Sequence, residues 1–305
     1  MGVRDVEVSL AADDGVVLAG TLTLPAGEGP HPAVLLLHGS GRLDREGNAG
    51  RVRLGLGSSL AAALARVGVA TLRYDRRGVG GTPGDWRSVG FDDNRRDAEA
   101  ALRALAARSD VRTGAVGVVG HSEGAVHAMS LGGLPGVAAV VLLAGFARRG
   151  EDALRWQAEK VAGGLPAPLR PVARALVGRQ VARVEASGAD VVRVFGMRLN
   201  ARWMREMLVH DPRSALAAVR VPVLAVTGEK DVQVDAADLD VIRDLVPGDV
   251  EVHRVPDLTH LLRLDHGVPS VRSYPRLLRG PVDADLLARV AGWLAHRLDE
   301  ASPHR

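Results

Sequence analysis

The residues Gly120-His121-Ser122-Glu123-Gly124 lie between the apolar run Ala115-Val116-Gly117-Val118-Val119 and the helix-compatible stretch Ala125-Val126-His127-Ala128-Met129. A strand that turns at once into a helix strains its middle residue, and side chains on either flank of so tight a turn would clash. Gly-x-Ser-x-Gly in this setting lifts one hydroxyl above the end of a sheet and makes Ser122 the candidate for covalent chemistry. The pattern alone is weak: 36 glycines produce such windows by chance, and an ordinary strand-to-loop turn has the same spelling. Its weight depends on whether the chain supplies an acid, a base and oxyanion donors in the matching order.

An acid follows. Val221-Pro222-Val223-Leu224-Ala225-Val226 reads as a short buried strand, and Thr227-Gly228-Glu229-Lys230-Asp231 is the turn that leaves it. Asp231 is the first choice, against the commoner job of a turn or N-cap aspartate. Glu229 and Asp235 are the fallback carboxylates. About 29 residues on, His260 sits in the loop Pro256-Asp257-Leu258-Thr259-His260-Leu261-Leu262, past the strand-like segment 250–255. It is preferred as base over His253, inside that segment, and His266, further along the loop. The order Ser, Asp, His is the one in which a fold with such an elbow supplies its triad.

Oxyanion donors are expected early in the chain. The apolar strand Pro32-Ala33-Val34-Leu35-Leu36-Leu37 ends in His38-Gly39-Ser40-Gly41, a small-residue turn whose N–H groups can approach a substrate oxygen. Ser40 or Gly41 supplies one donor and the N–H of Glu123 the other. His38 reads as a structural hydrogen-bonder beneath the loop. Asp44 and Arg45 are expected to lock that loop, and Asp75 and Arg76, at the next strand end, to pair with each other. The glycine-rich stretch 74–82 lacks a Gly-Lys-Ser/Thr ending and so is no nucleotide-phosphate loop.

Strand-HGSG, GHSEG, GEKD and a late THLL, in this order, resemble the α/β-hydrolases. More narrowly, 38–48 (HGSGRLDREGN) with 228–234 (GEKDVQV) resembles bacterial serine esterases of the EstD type. The resemblance covers most of the chain outside about 146–214. It implies carboxylic-ester hydrolysis through a Ser122–His260–Asp231 triad. Two departures stand out: Asp235, Asp238 and Asp240 where an Asn usually follows GEKDVQV, and Leu261-Leu262-Arg263 where an aromatic is common after the histidine.

The coarse architecture agrees. Strands are expected at 6–10, 16–24, 33–37, 69–74, 115–120, 137–143, 221–226 and 250–255, with helices near 51–67, 91–108, 235–246 and 283–300. Such alternation argues for an α/β fold: a mainly parallel sheet with helices on both faces. About 77 residues separate the strands at 137–143 and 221–226, where a plain crossover needs a dozen or more. The division expected is a core of 1–145 and 215–305 with a helical cap at 146–214, broken at Gly163-Gly164, Pro166, Pro168, Pro171 and Gly188. Among the cap's large apolar side chains, Trp156, Phe195, Met197, Trp203, Met204 and Met207, a few should line an acyl pocket, with Trp156, Trp203 and Met207 the candidates for substrate contact. Twelve arginines also fall here; most should form a solvated face, and a subset is a candidate for anionic substrates such as acyl-CoA or a carrier-protein arm.

Composition narrows the classes. Net charge is +3, and Lys160 and Lys230 are the only lysines among 39 basic residues, so the high pI reflects arginine rather than a nucleic-acid patch. With nine aromatic side chains in all, there is no basic stretch interleaved with stacking platforms. The absence of cysteine excludes disulfides, thiolate catalysis and cysteine-based metal sites. The longest apolar run, Val137 to Ala147, is too short to span a bilayer. With no signal core at the N-terminus, a cytoplasmic location is the default. The expected partner is a small-molecule ester or thioester, with no metal or organic cofactor, no nucleic acid and no membrane. Three other readings use the same features: a thioesterase or acyltransferase on the same triad, a peptidase, and a non-hydrolytic ligand-binding or cyclisation protein that keeps the fold.

Overall fold

The computed structural model describes residues 2–194 and 196–301, the side chain of Ala173 excepted. In chain order the elements are β1 (Arg4–Ala11), β2 (Val17–Leu24), β3 (His31–Leu37), β4 (Asn48–Ala49), β5 (Val52–Arg53), α1 (Leu56–Arg66), β6 (Ala70–Tyr74), α2 (Phe91–Ala106), β7 (Val111–His121), α3 (Glu123–Leu131) and β8 (Val137–Leu143). There follow α4 (Gly150–Gly163), α5 (Arg170–Glu185), β9 (Val191–Val194), β10 (Met197–Asn200), α6 (Ala201–Val209) and α7 (Arg213–Leu216). The chain then returns through β11 (Val223–Gly228), α8 (Asp238–Leu245), β12 (Val250–Val255), α9 (Tyr274–Leu277) and α10 (Ala284–Glu300).

One sheet of eight strands, in the order β1-β2-β6-β3-β7-β8-β11-β12, organises the molecule. The hairpin β1–β2 is antiparallel and joins β6 antiparallel, while every pairing from β6 to β12 is parallel. Parallel strands need helical crossovers, and these cover both faces. The near-continuous apolar strands still divide their side chains with a period of two. In β3, Ala33, Leu35 and Leu37 enter the core beneath α2 and α3, whereas Val34 and Leu36 enter the one beneath α1 and α10.

After β3 the chain crosses to β6 on one side, and β7 returns to the other. The β3–β7 junction is therefore the topological switch point, where the crevice beyond the strand ends is open to a ligand. The turns after β3, β6, β7, β11 and β12 all converge on that end, and it is there that the separate motifs meet.

Three differences from the expected elements have local causes. Helix α1 starts at Leu56 rather than near 51, because Gly50 and Gly55 both take left-handed backbone (φ 57° and 61°) and a short β4–β5 hairpin precedes the helix. The insertion between β8 and β11 contains the β9–β10 hairpin as well as helices, its β-branched Val191, Val192 and Val194 fitting a strand better than a helix. Gly196, at φ 79°, lies in its turn; Phe195 lies outside the described residues. Helix α5 is almost wholly exposed, with Val184 its one buried side chain among those described. Among the described residues no helix is long and apolar enough to cross a membrane.

The β7-to-α3 junction has no spare volume. A Cβ on Gly120 would overlap the carbonyl of Gly124, and one on Gly124 would overlap the carbonyls of Leu37 and His38. Gly124→Ala should therefore lower unfolding free energy by about 1–3 kcal/mol or more, read from urea denaturation. A change within about 0.5 kcal/mol, typical of an unconstrained surface site, would contradict this packing.

Candidate active site

Ser122 occupies the turn between β7 and α3 at φ 56°, ψ −121°, a conformation that costs a non-glycine residue on the order of 1–3 kcal/mol. Its N–H donates to the Leu143 carbonyl at the end of β8, and its carbonyl accepts the N–H of Ala125 in the first turn of α3. Held this way, the hydroxyl stands 3.1 Å from Nε2 of His260. Nδ1 of the same ring lies 2.8 Å from Oδ2 of Asp231. The other oxygen of Asp231 accepts the N–H groups of Gln233 and Val234 at 2.7 and 2.9 Å. Asp231 thus does both jobs weighed for it, closing its turn with one oxygen and orienting an imidazole with the other.

The alternatives lie elsewhere. Glu229 is exposed, and Asp235 pairs with Arg148. His253 faces Glu251, and His266 is at the surface beside Asp257.

The loop bearing His260 is fixed at several points. Asp257 and Leu262, on either side of it, both take left-handed backbone, at φ 59°. Lys230, adjacent to Asp231, pairs with the Asp257 carboxylate and donates to the carbonyls of Asp265 and Gly267, so one ammonium fastens both ends of the loop to the acid's turn. The buried Arg263 guanidinium donates to the carbonyls of Leu54, Leu261 and Gly280. His121 donates from Nε2 to the carbonyl of His260 at 2.9 Å, with the two rings 5.0 Å apart. Burial lowers the His121 pKa to about 3, so its ring stays neutral.

Across the crevice, Ser40 and Gly41 are exposed at the end of β3. Among the described residues their N–H groups and that of Glu123 donate to no acceptor. His38 lies buried beneath this loop with Nε2 2.7 Å from the Arg45 carbonyl, and burial lowers its pKa to about 4. The Asp44 carboxylate accepts the N–H groups of Glu46 and Asn48, closing the loop as expected. Asp75 and Arg76 do not pair with each other. Asp75 binds Arg45, while Arg76 reaches the Glu123 carboxylate and the His38 carbonyl. Neighbours at a strand end point to opposite sides, which separates the two.

A cavity of about 70 Å³ opens on Ser122 between Phe91, Phe146, Leu154, Trp203, Met207 and Val234, with Gln157 and Gln233 as polar wall residues. Trp203 and Met207 are where the sequence placed them. Trp156 is not: α4 turns Ala153, Leu154 and Gln157 to the cavity, and Trp156, about 100° per residue around the helix, lies in a neighbouring crevice with Asp235 and Asp238. Phe91 and Phe146 were missed; the one signal for Phe146 was its place just beyond the apolar strand 137–143.

Across Ser40 and Trp203 lies a second cavity of about 190 Å³, walled by Trp86, Val89, Leu199 and Met204 and edged by Arg198. A further cavity, about 330 Å³, sits between α4 and α5 away from the hydrogen-bonded chain and shares only Leu154 with the cavity on Ser122. Among the described arginines of the insertion, Arg148, Arg155, Arg202 and Arg213 have carboxylate partners, and Arg198, 3.7 Å from Asp85, also edges the cavity beside Ser40. Among the described residues no cluster of side chains is suited to a metal ion.

The family model described as Serine aminopeptidase, S33 matches residues 30–266, which span every element carrying the site. The chain belongs to this family. Its fold is that of the α/β-hydrolases. By sequence the chain is 27% identical over 280 residues to esterase EstD of Thermotoga maritima, 91% of this chain and 65% of that protein. It is 35% identical over 143 residues to an uncharacterised protein of Mycobacterium tuberculosis, 47% of this chain and 46% of that one. The chain thus spans about two thirds of the first relative's length and about half of the second's. Among solved structures, Est1E from Butyrivibrio proteoclasticus with ferulic acid bound superposes with a TM-score of 0.66 at 18% identity, covering 96% of this chain and 98% of that one. A 2,6-dihydroxy-pseudo-oxynicotine hydrolase superposes at 0.61 with 20% identity, covering 98% and 69%. The Pyrococcus furiosus esterase Pf2001 does so at 0.60 with 16%, covering 97% and 92%. These likenesses establish the shared fold.

The buried histidines give this S33-family chain a pH signature. His38 and His121 titrate near about 4 and about 3 when folded, against an ordinary value of 6.5, because burial disfavours the charged ring. Unfolded chains therefore bind protons that the folded chain refuses. Stability present above pH 6.5 is lost progressively as pH falls toward the folded values, at up to about 1.4 kcal/mol per pH unit for each histidine. Urea unfolding between pH 7 and about 5 should show this slope, and His121→Gln should reduce it. Stability that stays flat over that interval would contradict neutral burial.

Proposed function

We propose that this protein is a serine esterase that cleaves carboxylic esters through Ser122, His260 and Asp231 and an acyl-enzyme intermediate. The observation that carries the reading is the continuous hydrogen-bonded chain from Ser122 Oγ through both ring nitrogens of His260 to Asp231, at 3.1 and 2.8 Å. Asp231 holds the proton of His260 on Nδ1, which leaves Nε2 as the base. As Oγ attacks the ester carbonyl, its proton passes to Nε2. The carbonyl oxygen, now carrying the negative charge, is taken by the N–H groups of Ser40 or Gly41 and Glu123. Collapse breaks the carbon–alkoxy bond, and the alcohol leaves with the proton from His260. Water, deprotonated by His260, then attacks the acyl-enzyme, releases the carboxylic acid and restores Ser122.

The insertion at 146–214 acts in this reading as a cap, placing Leu154, Trp203 and Met207 over the nucleophile. Esterase activity is also what the name of the EstD relative records, at 27% identity. Against peptide substrates with a free amino terminus, the only carboxylate among the described residues lining the 70 Å³ cavity is Glu123, and its two oxygens already accept four donors. An ammonium would find no free partner there.

Ester turnover should fall by at least about 10³-fold in Ser122→Ala, with folding intact. A cavity of about 70 Å³ holds on the order of two to four water-sized groups. p-Nitrophenyl acetate and butyrate should accordingly exceed the decanoate in kcat/KM by at least about tenfold. Leu154→Ala, which opens the wall shared with the 330 Å³ cavity, should narrow that ratio. Retained turnover in Ser122→Ala refutes the nucleophile; a decanoate preference refutes the short acyl pocket.

A further inference from the structure

The Glu123 carboxylate takes no part in the mechanism above, although it sits one residue from the nucleophile. It is 4% exposed, and its donors come from four separate elements. Oε1 accepts from Asn94 on α2 at 3.0 Å and His127 on α3 at 3.1 Å, and pairs with Arg76 after β6 at 3.2 Å. Oε2 accepts the indole N–H of Trp203 on α6 at 3.0 Å. The second arm of Arg76 donates to the His38 carbonyl at 2.8 Å, in the turn that presents Ser40 and Gly41.

A continuous polar chain thus runs from the inserted helix α6, through Trp203, Glu123 and Arg76, to the loop after β3. Burial of a carboxylate is tolerated only where such donors are complete. Each link is therefore held by the cost of leaving its partner unpaired. We propose that the Glu123 side chain is a positioning residue for the oxyanion hole: it fixes its own backbone N–H directly, fixes the Ser40–Gly41 turn through Arg76, and makes both depend on the seating of α6 through Trp203. The inference rests on the esterase reading, since it assigns these N–H groups to the oxyanion.

The test exploits the geometry of an amide. In Glu123→Gln the three donors at Oε1 retain the oxygen, so the new NH2 group faces the Trp203 N–H, donor against donor. Removing the indole N–H with Trp203→Phe relieves that conflict. With p-nitrophenyl acetate, Glu123→Gln should lower kcat by about 10- to 100-fold, the range of a displaced oxyanion donor, with KM nearly unchanged. A trifluoromethyl ketone, whose adduct carries the oxyanion, should lose affinity in proportion to kcat. Trp203→Phe alone should lower kcat more than it raises KM, and in the Glu123→Gln background it should cause no further loss of kcat. Arg76→Lys keeps the charge but not the fork that spans Glu123 and His38, and should reproduce the kcat loss.

Thermal unfolding is measured for each variant. If Glu123→Gln does not fold, Trp203→Phe and Arg76→Lys decide alone: kcat within about twofold of wild type in both overturns the inference. So does a Glu123→Gln variant that folds with unchanged kcat and ketone affinity, or strictly additive losses in the double variant. Wild-type protein without ester turnover would instead sink the esterase reading; wild-type turnover with unaffected variants removes only the role of Glu123.

Discussion

The packing of α3 against β7 at Ser122 is the constraint on which the upper end of the molecule depends. The strand delivers the chain to the crevice, the helix carries it away, and only a left-handed residue joins them. Gly120 and Gly124 make the approach possible, because any side chain at either position would occupy backbone already placed there. The strain stored at Ser122 persists because the N–H to Leu143 and the carbonyl to Ala125 leave the turn no alternative. Every other group at the site is positioned relative to this fixed hydroxyl.

The loops that meet it are held by buried charge rather than by secondary structure. Lys230 fastens the turn of Asp231 to both ends of the His260 loop, and Arg263 ties the same loop to the core through carbonyls alone. On the opposite side, Arg45 links Asp75 and Glu7, and Arg76 links Glu123 and the turn after β3. Arginine suits this work because its planar fork reaches two acceptors at fixed geometry and keeps its charge when buried. A chain with only two lysines among 39 basic residues has thus placed several of its arginines inside, where they brace loops that carry no regular structure of their own.

Much of this was legible in the sequence because the signals were local. Strands such as β3 and β8 are uninterrupted apolar runs, and the turns that end them carry glycine, so the sheet and the positions of Ser122, Asp231 and His260 could be read off directly. Contacts across loops were not legible. Asp75 and Arg76 are neighbours in sequence, yet their partners lie 30 and more positions away. Trp156 and Leu154 sit two residues apart on α4, and only the docking of that helix decides which faces Ser122. The β9–β10 hairpin was obscured by flanking residues that also suit helices, and Phe91 and Phe146 meet over the nucleophile only once β7, α2 and β8 are assembled. Sequence periodicity reports which face of an element is apolar; it does not report what that face meets.

On this reading Ser122 is an assembled nucleophile, activated by His260 and Asp231. Intact-protein mass spectrometry after a short exposure to a fluorophosphonate reads that activated state, with Ser122→Ala and His260→Ala treated in parallel. A single phosphonyl adduct is expected on the wild-type protein, mapped by peptide analysis to Ser122, and none on either variant. Folded wild-type protein that gains no adduct, or an adduct that maps elsewhere and survives in Ser122→Ala, would contradict it.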